Sequence, residues 1–190
     1  MKQSIQIIAG KYRGKKLSFP PIANLRPTTN RIKETLFNWL MHDIHDANCL
    51  DAFAGSGSLG FEAFSRGASY VTFIEKDKLA FQNLIKISAS FDTSILRVIH
   101  DETLKYLQLS LSKNITPFDI IFFDPPFSNS FPYDCLNILA NDKVTNPNAL
   151  LYVEYNENIT LDPETWTKLK QKQAGQVIYT LYRKSVVAVS

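Results

Sequence analysis

The apolar run Phe118-Asp119-Ile120-Ile121-Phe122-Phe123 stops abruptly at Asp124-Pro125-Pro126-Phe127. A buried strand ending this way delivers a carboxylate, two fixed φ angles and an aromatic face to one place. Pro125 and Pro126 lack amide N–H groups and hold φ at about −65°, so the Asp124 and Pro125 carbonyls leave the strand in stiff directions. Both can accept N–H bonds from one amine, and the Asp124 carboxylate adds a stronger, charged acceptor. Phe127 offers a ring for base stacking, worth on the order of 1–3 kcal/mol. The set suits a planar base with an exocyclic amine, although an ordinary loop after a core strand can carry the same letters.

A second element is Asp51-Ala52-Phe53-Ala54-Gly55-Ser56-Gly57-Ser58-Leu59-Gly60, running into a helical pattern. Its glycines allow a sharp turn and close approach of a ligand to the backbone. The next strand, Tyr70 to Glu75, ends in an acid placed to hold ribose hydroxyls, with Lys76 following. The glycine spacing also matches the dinucleotide fingerprint. Asp51 separates the two readings, because a carboxylate at the strand end suits an amino acid's ammonium better than a pyrophosphate. S-Adenosylmethionine carries that ammonium and no phosphate. The plainer readings are a capping acid for Asp51 and a solvated strand-end charge for Glu75.

The chain resembles the RsmD family of bacterial 16S ribosomal RNA (guanine-N2)-methyltransferases, which are class I S-adenosylmethionine enzymes. The residues that carry the resemblance are Ile7 to Leu17, Leu25-Arg26-Pro27-Thr28-Thr29 with Arg31 and Glu34 to Asn38, the glycine loop, Ile74-Glu75, Asp124 to Phe127, and Ala174 to Val177. The amino-terminal signature is specific to the family, whereas the glycine loop and the Asp-Pro-Pro-Phe turn occur more widely among amino-methyltransferases. The resemblance implies catalysis at Asp124, Pro125, Pro126 and Phe127. It places the cofactor on Asp51, Phe53, Gly55, Ser56, Gly57, Glu75, Lys76 and Asp124. After the strand Ile95 to Ile99 such enzymes usually place an Asp near the adenine amine, and this chain departs from that pattern with His100-Asp101-Glu102-Thr103. Here Glu102 takes that slot by register, or Asp101 if the strand end shifts by one residue. The substrate implied is 16S RNA within an assembled or assembling small subunit.

Charge is unevenly spread. Residues 1–33 hold eight Lys and Arg and no acid, so the net +3 divides into +8 there and −5 over the rest. Strands at Gln3–Ile8 and Lys16–Phe19 around a Gly10–Gly14 turn predict a basic hairpin, and Lys11, Tyr12, Arg13, Lys15, Lys16, Arg26 and Arg31 form a surface for a phosphate backbone. A solvated hairpin kept for solubility is the bland alternative. Residues 1–27 read as this RNA-binding hairpin and linker, and 28–190 as the methyltransferase domain. From Thr28-Thr29-Asn30 a helix begins, with Ile32, Leu36, Trp39 and Leu40 facing the core and Arg31 and Lys33 on other faces.

The remainder alternates: strands at 48–53, 70–75, 95–100, 118–124 and 149–155, with helices at 59–66, 77–89, 103–112 and 131–140, then a closing antiparallel hairpin at Lys168–Lys172 and Gln176–Arg183. This pattern predicts an α/β, Rossmann-like fold, a mostly parallel seven-stranded sheet with helices on both faces. Its ligands bind beyond the carboxyl ends of the strands, where Asp51, Glu75, Glu102 and Asp124 collect. At 190 residues the chain fits one enzyme domain. Cys49 and Cys135 lack metal spacing and read as buried thiols of a reducing cytoplasm, and the three His form no ligand motif, so no metal is expected. The chain contains no apolar run of about 20 residues, so no membrane span is expected, and without an exposed apolar stripe a monomer is expected. Three rivals remain. A nicotinamide oxidoreductase leaves the Asp-Pro-Pro-Phe turn unexplained, a DNA-adenine methyltransferase shares both motifs, and a non-catalytic RNA-binding module has no need of the glycine loop.

Overall fold

The structure, a computed structural model, describes residues 3–21, 28–91, 93–126 and 131–185. Strands β1 (Gln3–Gln6) and β2 (Lys16–Phe19) pair antiparallel, with Ile5 opposite Leu17. Alternation turns Ile5, Leu17 and Phe19 inward, and they join Ile7 in the cluster that also buries Leu36 and Phe61. Helix α1 (Asn30–Trp39) starts on Thr29, whose hydroxyl accepts the Ile32 N–H. The sequence leaves Lys33 off the buried face, but the structure buries it to 1% exposure beneath the hairpin. Lys33 shares helical spacing with Phe37 and Leu40, and a carboxylate supplied by the next helix makes burial tolerable.

The central sheet has the order β5-β4-β3-β6-β7-β9-β8. Its strands are β3 (Asn48–Asp51), β4 (Tyr70–Glu75), β5 (Leu96–His100), β6 (Phe118–Phe123), β7 (Thr145–Tyr155), β8 (Trp166–Ala174) and β9 (Val177–Lys184). The first five are parallel, and β9 runs antiparallel to both β7 and β8. Helices α2 (Ser58–Ser65) and α3 (Lys78–Ser88) lie with α1 on one face, and α4 (Thr103–Ser112) and α5 (Tyr133–Leu139) lie on the other. The seven-stranded Rossmann-like reading therefore holds. Strand β7 begins four residues earlier than the sequence pattern indicates. The ladder is irregular there, and Thr145 pairs with Phe118 ahead of the regular register from Ile120 and Leu150 onward. The Asp119 carboxylate takes the Asn146 amide at 2.7 Å and holds this irregular stretch in place.

The chain builds β3, β4 and β5 outward in one direction, then returns to place β6 and β7 on the other side of β3. Strand order reverses between β3 and β6, so the loops after Asp51 and Phe123 leave the same rim and flank one crevice.

Candidate active site

The glycine loop is braced from below and from the side. Asp51, 3% exposed, accepts the Gly60 N–H at 2.9 Å and so fixes the first turn of α2. Burial pushes its carboxyl up to about 7, against the Gly60 bond and with help from the Glu75 charge. Glu75 accepts the Gly55 N–H at 2.7 Å on one oxygen and the Asp77 N–H at 2.7 Å on the other. Gly57 holds φ 76, and a Cβ there would meet the Phe61 ring at 2.4 Å, so a side chain would displace the loop from its helix. The Thr103 hydroxyl donates to the Ala52 carbonyl at 2.5 Å, tying the start of α4 to the same loop. Ser56 is buried in the loop, and Phe53 is half-buried against Phe123, edge to face at 5.0 Å.

Beyond the ends of β4 and β5 lies a depression of about 520 Å³ lined by Lys76, Asp77, His100, Asp101 and Glu102. That volume falls within the range of small-molecule sites. His100 stacks on Phe81 at 4.8 Å and forms a flat wall. Of the two acids named for the adenine end, Asp101 is engaged locally, accepting the Glu102 N–H at 2.9 Å and meeting Lys105 at 3.3 Å. Glu102, exposed at the cap of α4, makes no capping bond, so its carboxylate faces the depression unspent.

Asp124 sits half-buried where β6 ends, with the Thr28 hydroxyl at 3.5 Å. Burial, then the charges of Glu154 and Asp51, push its carboxyl well above the usual range. Glu154 on β7, 5% exposed, accepts the Tyr152 hydroxyl at 2.7 Å, and burial raises its carboxyl too. Three carboxylates from three adjacent strands thus converge on one rim, and no described salt bridge reaches any of them. Among the described residues no group of three or more His, Cys, Asp or Glu is arranged to hold a metal ion. Pro125 is buried and Pro126 exposed, while Phe127 lies outside the described residues. The sequence reading missed Glu154, Tyr152 and Thr28. A charged residue inside Leu150-Leu151-Tyr152-Val153-Glu154-Tyr155 was the available signal for the first.

The basic hairpin is fastened to α2. Glu62, fully buried, accepts Ile8 N–H at 2.8 Å, Ala9 N–H at 3.1 Å and Arg66 Nε at 2.8 Å, with Lys33 Nζ at 3.8 Å. Ser65 accepts the Lys11 N–H on its carbonyl at 2.7 Å and the Tyr12 N–H on its hydroxyl at 2.9 Å. Gly10 lies so close that a Cβ would stand 1.9 Å from the Ser65 carbonyl. Of the residues named for RNA, Lys11, Arg13, Lys16 and Arg31 are exposed, and Arg26 lies outside the described residues. Tyr12 packs its ring on Phe64 and Phe91, and Lys15 places its ammonium 3.8 Å from the Phe91 ring centroid, so both anchor the hairpin. A hollow of about 300 Å³ is lined by Ser4 to Gln6 and Lys16 of the hairpin and by Thr28 to Asn30 at the start of α1, and Thr28 also contacts Asp124.

The sheet order and the loops on its rim define a Rossmann-like α/β methyltransferase fold. Residues 5–183 match the family model described as Conserved hypothetical protein 95, and the chain belongs to that family, the RsmD family. It is 45% identical over 185 residues to the ribosomal RNA small subunit methyltransferase D of Haemophilus influenzae, covering 96% of this chain and 95% of the relative. Identity to the protein of the same name from Escherichia coli K12 is 42% over 182 residues, covering 95% and 90%. The solved structure of yhhF from Escherichia coli superposes with a TM-score of 0.85 at 40% identity, covering 96% of this chain and 99% of that one.

Proposed function

We propose that this protein transfers the methyl group of S-adenosylmethionine to the exocyclic N2 amine of a guanine in 16S ribosomal RNA, on the small subunit or its precursor. The relatives named for methylation of small-subunit ribosomal RNA span nearly the whole chain and support the substrate class. The observation that carries the chemistry is the meeting of the glycine loop and the Asp124 turn at the β3–β6 switch point.

The donor sulfonium makes its methyl group electrophilic, so the protein's work is alignment, and proximity and orientation account for roughly 7–11 kcal/mol of a barrier. Glu102 and Glu75 hold the nucleoside end, and the glycine loop leaves room for the amino-acid end. Across the crevice, the Asp124 carboxylate and the Pro125 carbonyl accept the two N–H bonds of the amine and stabilise positive charge developing on nitrogen. A paired base cannot present that amine, so the guanine enters unpaired or flipped. Lys11, Arg13, Lys16 and Arg31 supply the phosphate contacts.

The test is incubation with methyl-labelled S-adenosylmethionine and small subunits from cells lacking the gene, followed by mass mapping of the RNA. N2-methylguanosine at a single position is expected. Label on adenine N6, or on DNA, overturns the reading.

A further inference from the structure

We infer that Glu154, held by Tyr152, is a specificity-determining residue that accepts the ring N1–H of the target base and so admits guanine and rejects adenine. The inference rests on the guanine reading above and sharpens it.

Its geometry starts from register. In the parallel β6–β7 pair, Phe122 stands opposite Tyr152 and Phe123 opposite Val153, so Asp124 and Glu154 are the next residues on neighbouring strands. Phe122 and Tyr152 face the same cluster, and period-two alternation turns Asp124 and Glu154 to that face as well. Tyr152 is fully buried and its hydroxyl donates to Glu154 Oε2 at 2.7 Å, which fixes the carboxylate and works against the larger upward push of burial on its carboxyl. Among the described residues no other hydrogen bond reaches the Glu154 carboxylate, so Oε1 has unused acceptor capacity.

A carboxylate left nearly dry without a cation is costly, and it persists where a ligand supplies the missing donors. Beside its amine, guanine presents N1–H, giving adjacent donors that two adjacent carboxylates can accept together. Adenine presents N6–H beside the N1 lone pair, which offers Glu154 Oε1 no proton to accept. Asp124 alone serves either amine. Glu154 makes the distinction, and a site built to hydrogen-bond a donor rejects the analogue lacking it because its buried acceptor is left unpaired.

The test uses small subunits reconstituted with 16S RNA carrying guanine or 2-aminopurine at the methylated position. 2-Aminopurine keeps the amine at the same carbon and replaces N1–H with a lone pair. The wild-type protein is expected to favour guanine in kcat/KM by about 10- to 100-fold. Glu154→Gln, whose amide both donates and accepts, is expected to bring the ratio close to one while cofactor affinity is unchanged. Tyr152→Phe, which releases the carboxylate without removing it, is expected to lower the ratio partway and serves if the first variant does not fold. A guanine preference unmoved in both variants, equal losses on both bases, or no preference in the wild type overturns the inference. Absence of transfer from wild type to the guanine particle strikes the proposed function itself.

Discussion

At the joint between hairpin and α2, Glu62 is fully enclosed and meets four donors, two backbone amides, Arg66 and Lys33. At the carboxyl rim, Glu154 is almost as deeply enclosed and meets one phenol, while its neighbour Asp124 meets one distant hydroxyl. Both clusters cost desolvation. Only the first recovers it inside the folded chain, because its carboxylate has cations beside it and its acceptor sites are filled. The second is built of like charges on adjacent strands. The difference separates a polar group that fastens the fold from one that waits for a ligand bringing N–H donors or positive charge.

That contrast breaks most visibly at Glu62. Its replacement by Ala is expected to cost about 3–5 kcal/mol in unfolding free energy, because Lys33 is then buried without a counter-ion. Glu154→Gln is expected to leave stability unchanged or raised, since it removes an uncompensated charge; denaturant titration of the two variants side by side checks both. If the two lose stability equally, the distinction fails.

The exposed hairpin cations offer the next test. Replacing Lys11, Arg13 and Lys16 together is expected to weaken RNA binding and to flatten its dependence on salt, by about 1 in log–log slope for each lost phosphate contact. Lys15 is left out because its ammonium sits on the Phe91 ring and its loss would disturb docking. An unchanged slope places the RNA elsewhere.

The remaining test is a pH dependence at Asp51. Its carboxyl is raised in the folded protein to about 7 and lies at about 3.9 when unfolded, so folding favours the protonated form. The stability this contributes is present below about pH 4 and is lost as pH rises to about 7, at about 1.4 kcal/mol per unit. Asp51→Asn keeps an acceptor for the Gly60 N–H and removes the titration. The wild-type melting temperature is therefore expected to fall relative to the variant across that window and to run parallel above it. Parallel curves throughout contradict the assigned burial.

Much of this molecule can be read from local pattern. Alternating strands and helices name the fold, and apolar runs ending in Asp51, Glu75 and Asp124 mark the rim, because period and punctuation are properties of neighbouring residues. What escapes such reading depends on partners distant in the chain. The acceptor for Ile8 N–H is Glu62, 54 residues away, and a buried Lys33 makes sense only once that carboxylate is beneath the hairpin. Glu154 is similar, since a lone acid in an apolar strand announces burial but its neighbour Asp124 arrives from another strand. Tyr12 and Lys15 carry the letters of a nucleic-acid surface yet spend them on Phe64 and Phe91.

The most direct measurement is single-turnover methyl transfer by Asp124→Ala, with cofactor affinity determined on the same preparation. If the Asp124 turn and the glycine loop share one crevice but serve different partners, transfer to the small-subunit RNA falls by about 10²- to 10³-fold while the cofactor binds as it does to wild type. A variant that transfers at near the wild-type rate, or one that loses the cofactor along with activity, contradicts that division of labour.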